Sequence, residues 1–215
     1  FNADLSDWDV SNVTNMGYMF QGASSFNADL SDWDVSNVTD MSDMFQGATA
    51  FNGAIGNWEV SNVTDMSYMF QGATAFNQDL SAWGDKLGNV IDMSSMFAGA
   101  TAFNQDLSGW NVVGVTDMAY MFSGASAFDQ SLATWNIGNV TDMTGMLDNS
   151  GMSAKNYSYT LIGWAAQNVQ NGVALGSAGL NYCTNGSEAE TARTSLIQDH
   201  GWTISPNGQV LCFGF

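Results

Sequence analysis

The chain has 215 residues, 45% of them hydrophobic and 11% charged, with a formal net charge of −18. Its Lys and Arg residues number three, which excludes nucleic-acid binding through clustered cations on phosphates. No apolar run approaches the ~20 residues needed to span a bilayer, and so acidic a chain suits divalent cations, basic ligands or solubility in high salt.

Residues 1–150 are six copies of one unit, beginning at Phe1, Phe26, Phe51, Phe76, Phe103 and Phe128. The second copy reads Phe26-Asn-Ala-Asp-Leu-Ser-Asp-Trp-Asp-Val-Ser-Asn-Val-Thr-Asp-Met-Ser-Asp-Met-Phe-Gln-Gly-Ala. The unit is 25 residues long, and the fourth copy has two more within residues 84–88. A fixed period of this size predicts a solenoid, because one unit cannot bury its apolar side alone and stacked units can. Phe1 opens directly on a repeat, so the chain reads as part of a larger protein.

Within each copy, position 1 is Phe, position 5 Leu or Ile, and position 8 Trp. Trp-x-Val predicts a short parallel strand, since alternate side chains share a face and these residue types suit a pleated surface. Met16, Met19 and Phe20 fall at i, i+3 and i+4, which predicts one face of a helical turn. Gly22 then supplies a turn into the next copy. Twelve of the 13 methionines lie in these columns and read as core filling. Asn12, Asn37, Asn62, Asn89 and Asn139 form a further column. Four of them stand in Asn-Val-Thr acceptor patterns, and an internal ladder satisfying turn backbone groups is the simpler reading.

From Gly151 the sequence period is lost, and residues 151–215 predict a small α+β cap on the open end of the core. A helix is expected over residues 157–168, and Ser187-Glu-Ala-Glu190 reads as a capping box opening a second. Ser-Pro206-Asn207-Gly208 predicts a hairpin between the stretches around Trp202 and Val210. Cys183 and Cys212 are the two cysteines, and one such pair suggests a disulfide and an exported protein. His200, the one histidine, has no nucleophile motif beside it.

At these motifs the chain resembles the BspA-like leucine-rich-repeat surface proteins of bacteria, in their Phe-Asn-x-Asp-Leu-Ser-x-Trp-Asp-Val-Ser-Asn-Val-Thr-Asp-Met-x-x-Met-Phe-x-Gly-Ala branch. The resemblance implies an α/β, right-handed leucine-rich-repeat solenoid of six coils with parallel strands. It also implies a secreted or cell-surface adhesin that binds a protein or glycan and has no catalytic residues.

The candidate site lies in what changes between copies. Asp7, Asp9, Asp32, Asp34 and Glu59 would share one outward patch if Trp8 and Val10 face inward. Like charges stacked this closely need an offset. Calcium accepts several carboxylates in flexible geometry, so Asp7, Asp9, Asp32 and Asp34 are its candidate ligands; a solvated acidic face is the alternative. The column Asn15, Asp40, Asp65, Asp92, Asp117 and Asp142 reads as caps on the Met turn. Position 18 holds Tyr18, Tyr68 and Tyr120 in alternate copies, and exposed tyrosines on a regular scaffold make good contact residues. The leading expectation is a non-enzymatic, calcium-assisted binding module; a calcium-mediated homodimer or structural spacer is the competing one. A threonine column (Thr14, Thr39, Thr64, Thr116, Thr141) is broken by Ile91, which argues against ice binding.

Overall fold

The computed structural model describes residues 1–184 and 188–212. Successive copies stack in layers joined by a parallel chain of bridges from Asn15 through Asp40, Asp65, Asp92 and Asp117 to Asp142. Between the first two layers, the backbone N–H groups of Met16, Tyr18, Phe20 and Gly22 donate to the carbonyls of Asp40, Ser42, Met44 and Gln46 at 2.7–2.9 Å. The pattern repeats up the stack to Gly124, which donates to Asp148.

This ladder lies where a helical turn was expected, and the turn is not formed. The N–H groups of Met19, Gln21 and Ala23 close three linked reverse turns onto Met16, Tyr18 and Phe20 at 3.0–3.3 Å. Even positions thus bind the next layer while odd positions close local turns. Positions 18 and 22 have positive φ in all six copies, from Tyr18 at 63° and Gly22 at 69° to Gly145 at 64° and Asn149 at 56°. Methionine and phenylalanine still face the core, with Met41, Met44 and Phe45 fully buried, so the burial period imitates that of a helix.

The Trp-x-Val stretch is not a strand either. Its backbone makes corners, with Trp33 N–H on the Leu30 carbonyl and Val38 N–H on Val35. Side chains join the layers there instead. The indole N–H of Trp33 donates to Leu5, Trp58 to Leu30, Trp83 to Ile55, Trp110 to Leu80 and Trp135 to Leu107, all at 2.8–3.2 Å. The asparagine ladder does the same: Asn37, Asn62, Asn89 and Asn139 donate their amides to Ser11, Ser36, Ser61 and Val113 of the layer before. Phenylalanines fill the middle in two interleaved columns, each position-20 ring stacking on the next position-1 ring at 3.9–4.0 Å.

Spacing between equivalent rings widens away from the ladder. It is 5.5–5.7 Å for the position-20 phenylalanines, 5.8–6.2 Å at position 1 and 6.3–6.4 Å for stacked tryptophans. Hydrogen-bonded backbones sit about 4.8 Å apart. The layers therefore fan, with the ladder on the narrow side.

Neither sequence irregularity shifts the register. The two extra residues of the fourth copy are absorbed by a 3₁₀ helix, Ser81–Leu87. Leu87 takes the buried place of the missing Val, accepting from Val90 N–H as Val10 accepts from Val13. Gly114 fits where a Cβ would meet the Gly88 and Val90 carbonyls at 2.8–2.9 Å.

The stacking also continues past residue 150, where the sequence period stops. Helix α1, Ala154–Ala165, is capped by Ser153 and places Trp164 so that its indole N–H donates to Leu132 at 3.0 Å. Strand β1, Ala174–Leu175, follows Met143 on the ladder. Strand β2 is Asn181–Cys183 and helix α2 is Glu188–Gln198. After α2, Trp202 donates to Gln170 at 2.8 Å, and strands β3, Thr203–Ile204, and β4, Gly208–Val210, complete the last layer. The expected hairpin does not form: β3 pairs parallel with β1, and β4 pairs parallel with β2. Layer-on-layer pairing prevails over the local turn signal. Ser187 of the expected capping box lies outside the described residues. Cys183 and Cys212 form a disulfide, with Cα atoms 5.4 Å apart.

Replacing Trp58, which is 1% exposed, by Phe keeps an aromatic ring but removes the indole bond between layers and leaves the Leu30 carbonyl with the Trp33 N–H alone. The expected loss is about 1–3 kcal/mol, measured by urea denaturation.

Candidate functional site

Three positions of the repeat carry, in most copies, a short polar side chain that accepts the N–H two residues on, the turn that Asp and Asn favour. At position 4, Asp4, Asp29, Asp79 and Asp106 accept from Ser6, Ser31, Ser81 and Ser108 at 2.8–3.0 Å. At position 9, Asp9 and Asp34 accept from Ser11 and Ser36, and Asn111 and Asn136 do the same in later copies. At position 15, Asn15, Asp40, Asp65, Asp92, Asp117 and Asp142 all accept at 2.8–2.9 Å. Much of the acidity is thus turn chemistry repeated layer by layer.

These turns bear directly on the expected calcium ligands. Asp7, Asp9, Asp32, Asp34 and Glu59 are all exposed. Asp9 and Asp34 each direct an oxygen back to their own turn. Glu59 accepts from the Ser61 hydroxyl and lies 3.5 Å from the Lys86 ammonium, which in turn donates to the Trp58 carbonyl at 3.0 Å. Among the described residues, no group of three or more His, Cys, Asp and Glu side chains is placed to hold a metal ion.

The position-18 tyrosines are arranged differently. Tyr18, Tyr68 and Tyr120 are 60%, 38% and 47% exposed, on a scaffold whose phenylalanines are nearly all buried. Each has positive φ, at 63°, 59° and 57°. That region costs a residue with a Cβ about 1–2 kcal/mol, and Gly145 shows that the same site accepts glycine at 64°. The layers between carry Asp43, Ser95 and Gly145, which leave room for the preceding ring. A Cβ built at Gly145 would collide with the Tyr120 ring, so that ring lies across the next layer. The Tyr18 hydroxyl likewise reaches Asp43. The positive φ is the feature that sequence reading missed; a column alternating Tyr with Asp, Ser and Gly was its one signal.

Charge around these rings is uneven. Asp43 is 8% exposed, and burial raises its pKa, the Tyr18 bond partly opposing this. The Asp43 carboxylate chiefly, with Asp40 and Asp65 nearby, pushes the Tyr18 hydroxyl up. Burial also raises Asp117, with Asp92 and Asp142 adding like-charge repulsion. His200 accepts from Gly172 through its backbone carbonyl.

The family model described as "Mycoplasma protein of unknown function, DUF285" matches residues 1–86 and 86–175. No curated protein and no solved structure matches the chain.

The turn carboxylates set an acid limit. Asp4, Asp29 and Asp79 are held below their ordinary 3.8 chiefly by serine N–H groups. Serine hydroxyls lead at Asp9 and Asp34, and at Glu59, whose ordinary value is 4.5. A lowered folded value gives stability that is present above the ordinary value and lost as pH falls through the lowered one. The raised Asp43 and Asp117 act oppositely but are fewer. The melting temperature is expected to hold as pH falls to the ordinary carboxyl range and to drop below it, followed by circular dichroism.

Proposed function

We propose a binding role for this chain on the premise that it belongs to the DUF285 family, whose model covers residues 1–86 and 86–175. The chain is a non-enzymatic binding module of a secreted or cell-surface bacterial protein, built as an α/β, BspA-like leucine-rich-repeat solenoid. Its ligand side is the ladder face, where Tyr18, Tyr68 and Tyr120 stand out. The observation that carries this reading is three exposed tyrosines kept at positive φ in alternate layers, at a site where glycine fits without strain. Strain held at an exposed aromatic side chain points to a use for that side chain. The Cys183–Cys212 disulfide supports an oxidising compartment.

Arrays of extracellular-matrix proteins and glycans, probed with the wild type, with Tyr18→Ser/Tyr68→Ser/Tyr120→Ser and with Asp7→Asn/Asp9→Asn/Asp32→Asn/Asp34→Asn, test the assignment. The expected signal survives in the asparagine variant and falls by about ten-fold or more in the serine variant. Loss in the asparagine variant alone moves the site to the outward carboxylates. Sedimentation in millimolar calcium and in chelator tests the competing reading, and a calcium-dependent dimer favours self-association over ligand binding.

A further inference from the structure

We infer that the tyrosine column is a track for a positively charged polyproline-II segment, with every third residue of the peptide seated on a ring. This deepens the binding role proposed above and rests on it.

The spacing selects the backbone of the ligand. The tyrosines recur every second layer, and hydrogen-bonded layers about 4.8 Å apart place their backbones ~9.6 Å from one another. A polyproline-II helix has three residues per turn at a rise of about 3.1 Å, so it returns the same side every ~9.3 Å. From Tyr18 to Tyr120 the mismatch adds up to only ~0.6 Å. An extended strand covers a similar length in three residues, but its side chains alternate, so residues i and i+3 face opposite ways. An α-helix repeats a face after seven residues, ~10.5 Å, and slips by about 1 Å at each ring. Only the threefold backbone keeps pace with the column.

The ring geometry and the charge select its side chains. Tyr120 lies across Gly145 and Tyr18 reaches over to Asp43, so a ring face is left outward. A flat aromatic face takes the apolar ring of proline, and aromatic-lined tracks are the usual seat of preformed polyproline-II peptides. Alongside runs the half-buried column Asp40, Asp65, Asp92, Asp117 and Asp142. Its members repel one another at Asp117 and act on the Tyr18 hydroxyl. Each uses one oxygen for its turn, and Asp40 gives its other to the Asn15 amide. A cation in the peptide relieves that repulsion, and with three residues per turn all the cations fall on one edge. A guanidinium can also engage a tyrosine face directly. Of 21 acidic residues in the chain, 18 lie in residues 1–150 against a single Lys86, so a polyanionic partner is disfavoured.

The probe is a fluorescein-labelled peptide of four Pro-Pro-Arg triplets, titrated with the full chain and followed by anisotropy at several salt concentrations. Saturable binding is expected, weakened about ten-fold or more by Tyr68→Ser, the residue the fourth copy already carries as Ser95. Asp65→Asn follows the first copy, where Asn15 closes the same turn, and is expected to weaken binding several-fold and flatten its salt dependence. A Gly-Ser-Arg peptide of equal length and charge is expected to bind about ten-fold less tightly. Circular dichroism and melting confirm that each variant is folded. Equal affinity for the two peptides, no binding of Pro-Pro-Arg, or indifference to Tyr68→Ser would overturn the inference. If hydroxyethylcellulose binds in a Tyr68-dependent way and Pro-Pro-Arg does not, the peptide assignment falls while the tyrosine column stands as a binding face. If no probe or array ligand depends on the tyrosines, the binding role itself falls.

Discussion

Each layer of this protein is fastened to the one before it by a tryptophan whose indole N–H donates to a buried leucine or isoleucine carbonyl. A buried indole must find an acceptor, and each of these carbonyls, already closing the corner of its own layer, has a second lone pair to offer. The bond joins the layers at the side where no backbone ladder runs. The same bond recurs at Trp164 and, onto Gln170, at Trp202, although the sequence around them has left the repeat pattern. The two extra residues of the fourth copy are taken up locally because Trp83 and Leu87 keep their places. The backbone ladder at positions 16–22 holds the narrow side, the indoles hold the wide side, and stacked phenylalanines fill the space between them.

The acidity follows from the same construction. A layer of about 25 residues must turn several times, and Asp is well suited to turning because its carboxylate satisfies the N–H two residues on. Such Asp turns hold eleven of the 18 acidic residues of the first six layers. Charge that serves every copy alike says little about a ligand. What differs from copy to copy is position 18, where the backbone demands a left-handed residue and three copies nonetheless supply tyrosine.

Membership of the DUF285 family agrees with a chain built of repeats. The proposed solenoid gives its surface a property that a single-layer site lacks, namely a fixed translational period. A ligand that repeats at a matching distance can engage several equivalent positions at once, each adding to the others without further ordering cost. Alternation of Tyr with Asp43, Ser95 and Gly145 doubles the period from one layer to two, which changes the length of ligand unit that fits.

Six copies, their buried columns and the helices of the tail were legible from the chain alone, because burial repeats with the period and leaves its mark on residue type. The tryptophan, phenylalanine and methionine columns are all buried where the repeat says they should be, apart from members in the first layer such as Trp8. The backbone path was not legible. Met16, Met19 and Phe20 carry a helical spacing yet sit on linked turns, since the N–H groups between them are claimed by the next layer, a partner that no local pattern reveals. Pro206 and Gly208 promise a hairpin, yet β3 and β4 pair with strands about 27–29 residues earlier. Asp9 and Asp34 each close a turn onto their own serine, a bond that the outward charge pattern alone does not reveal. The sequence determined what each layer buries. The tertiary structure decided which backbone groups meet and which rings stay exposed, because those choices depend on the layer above and below.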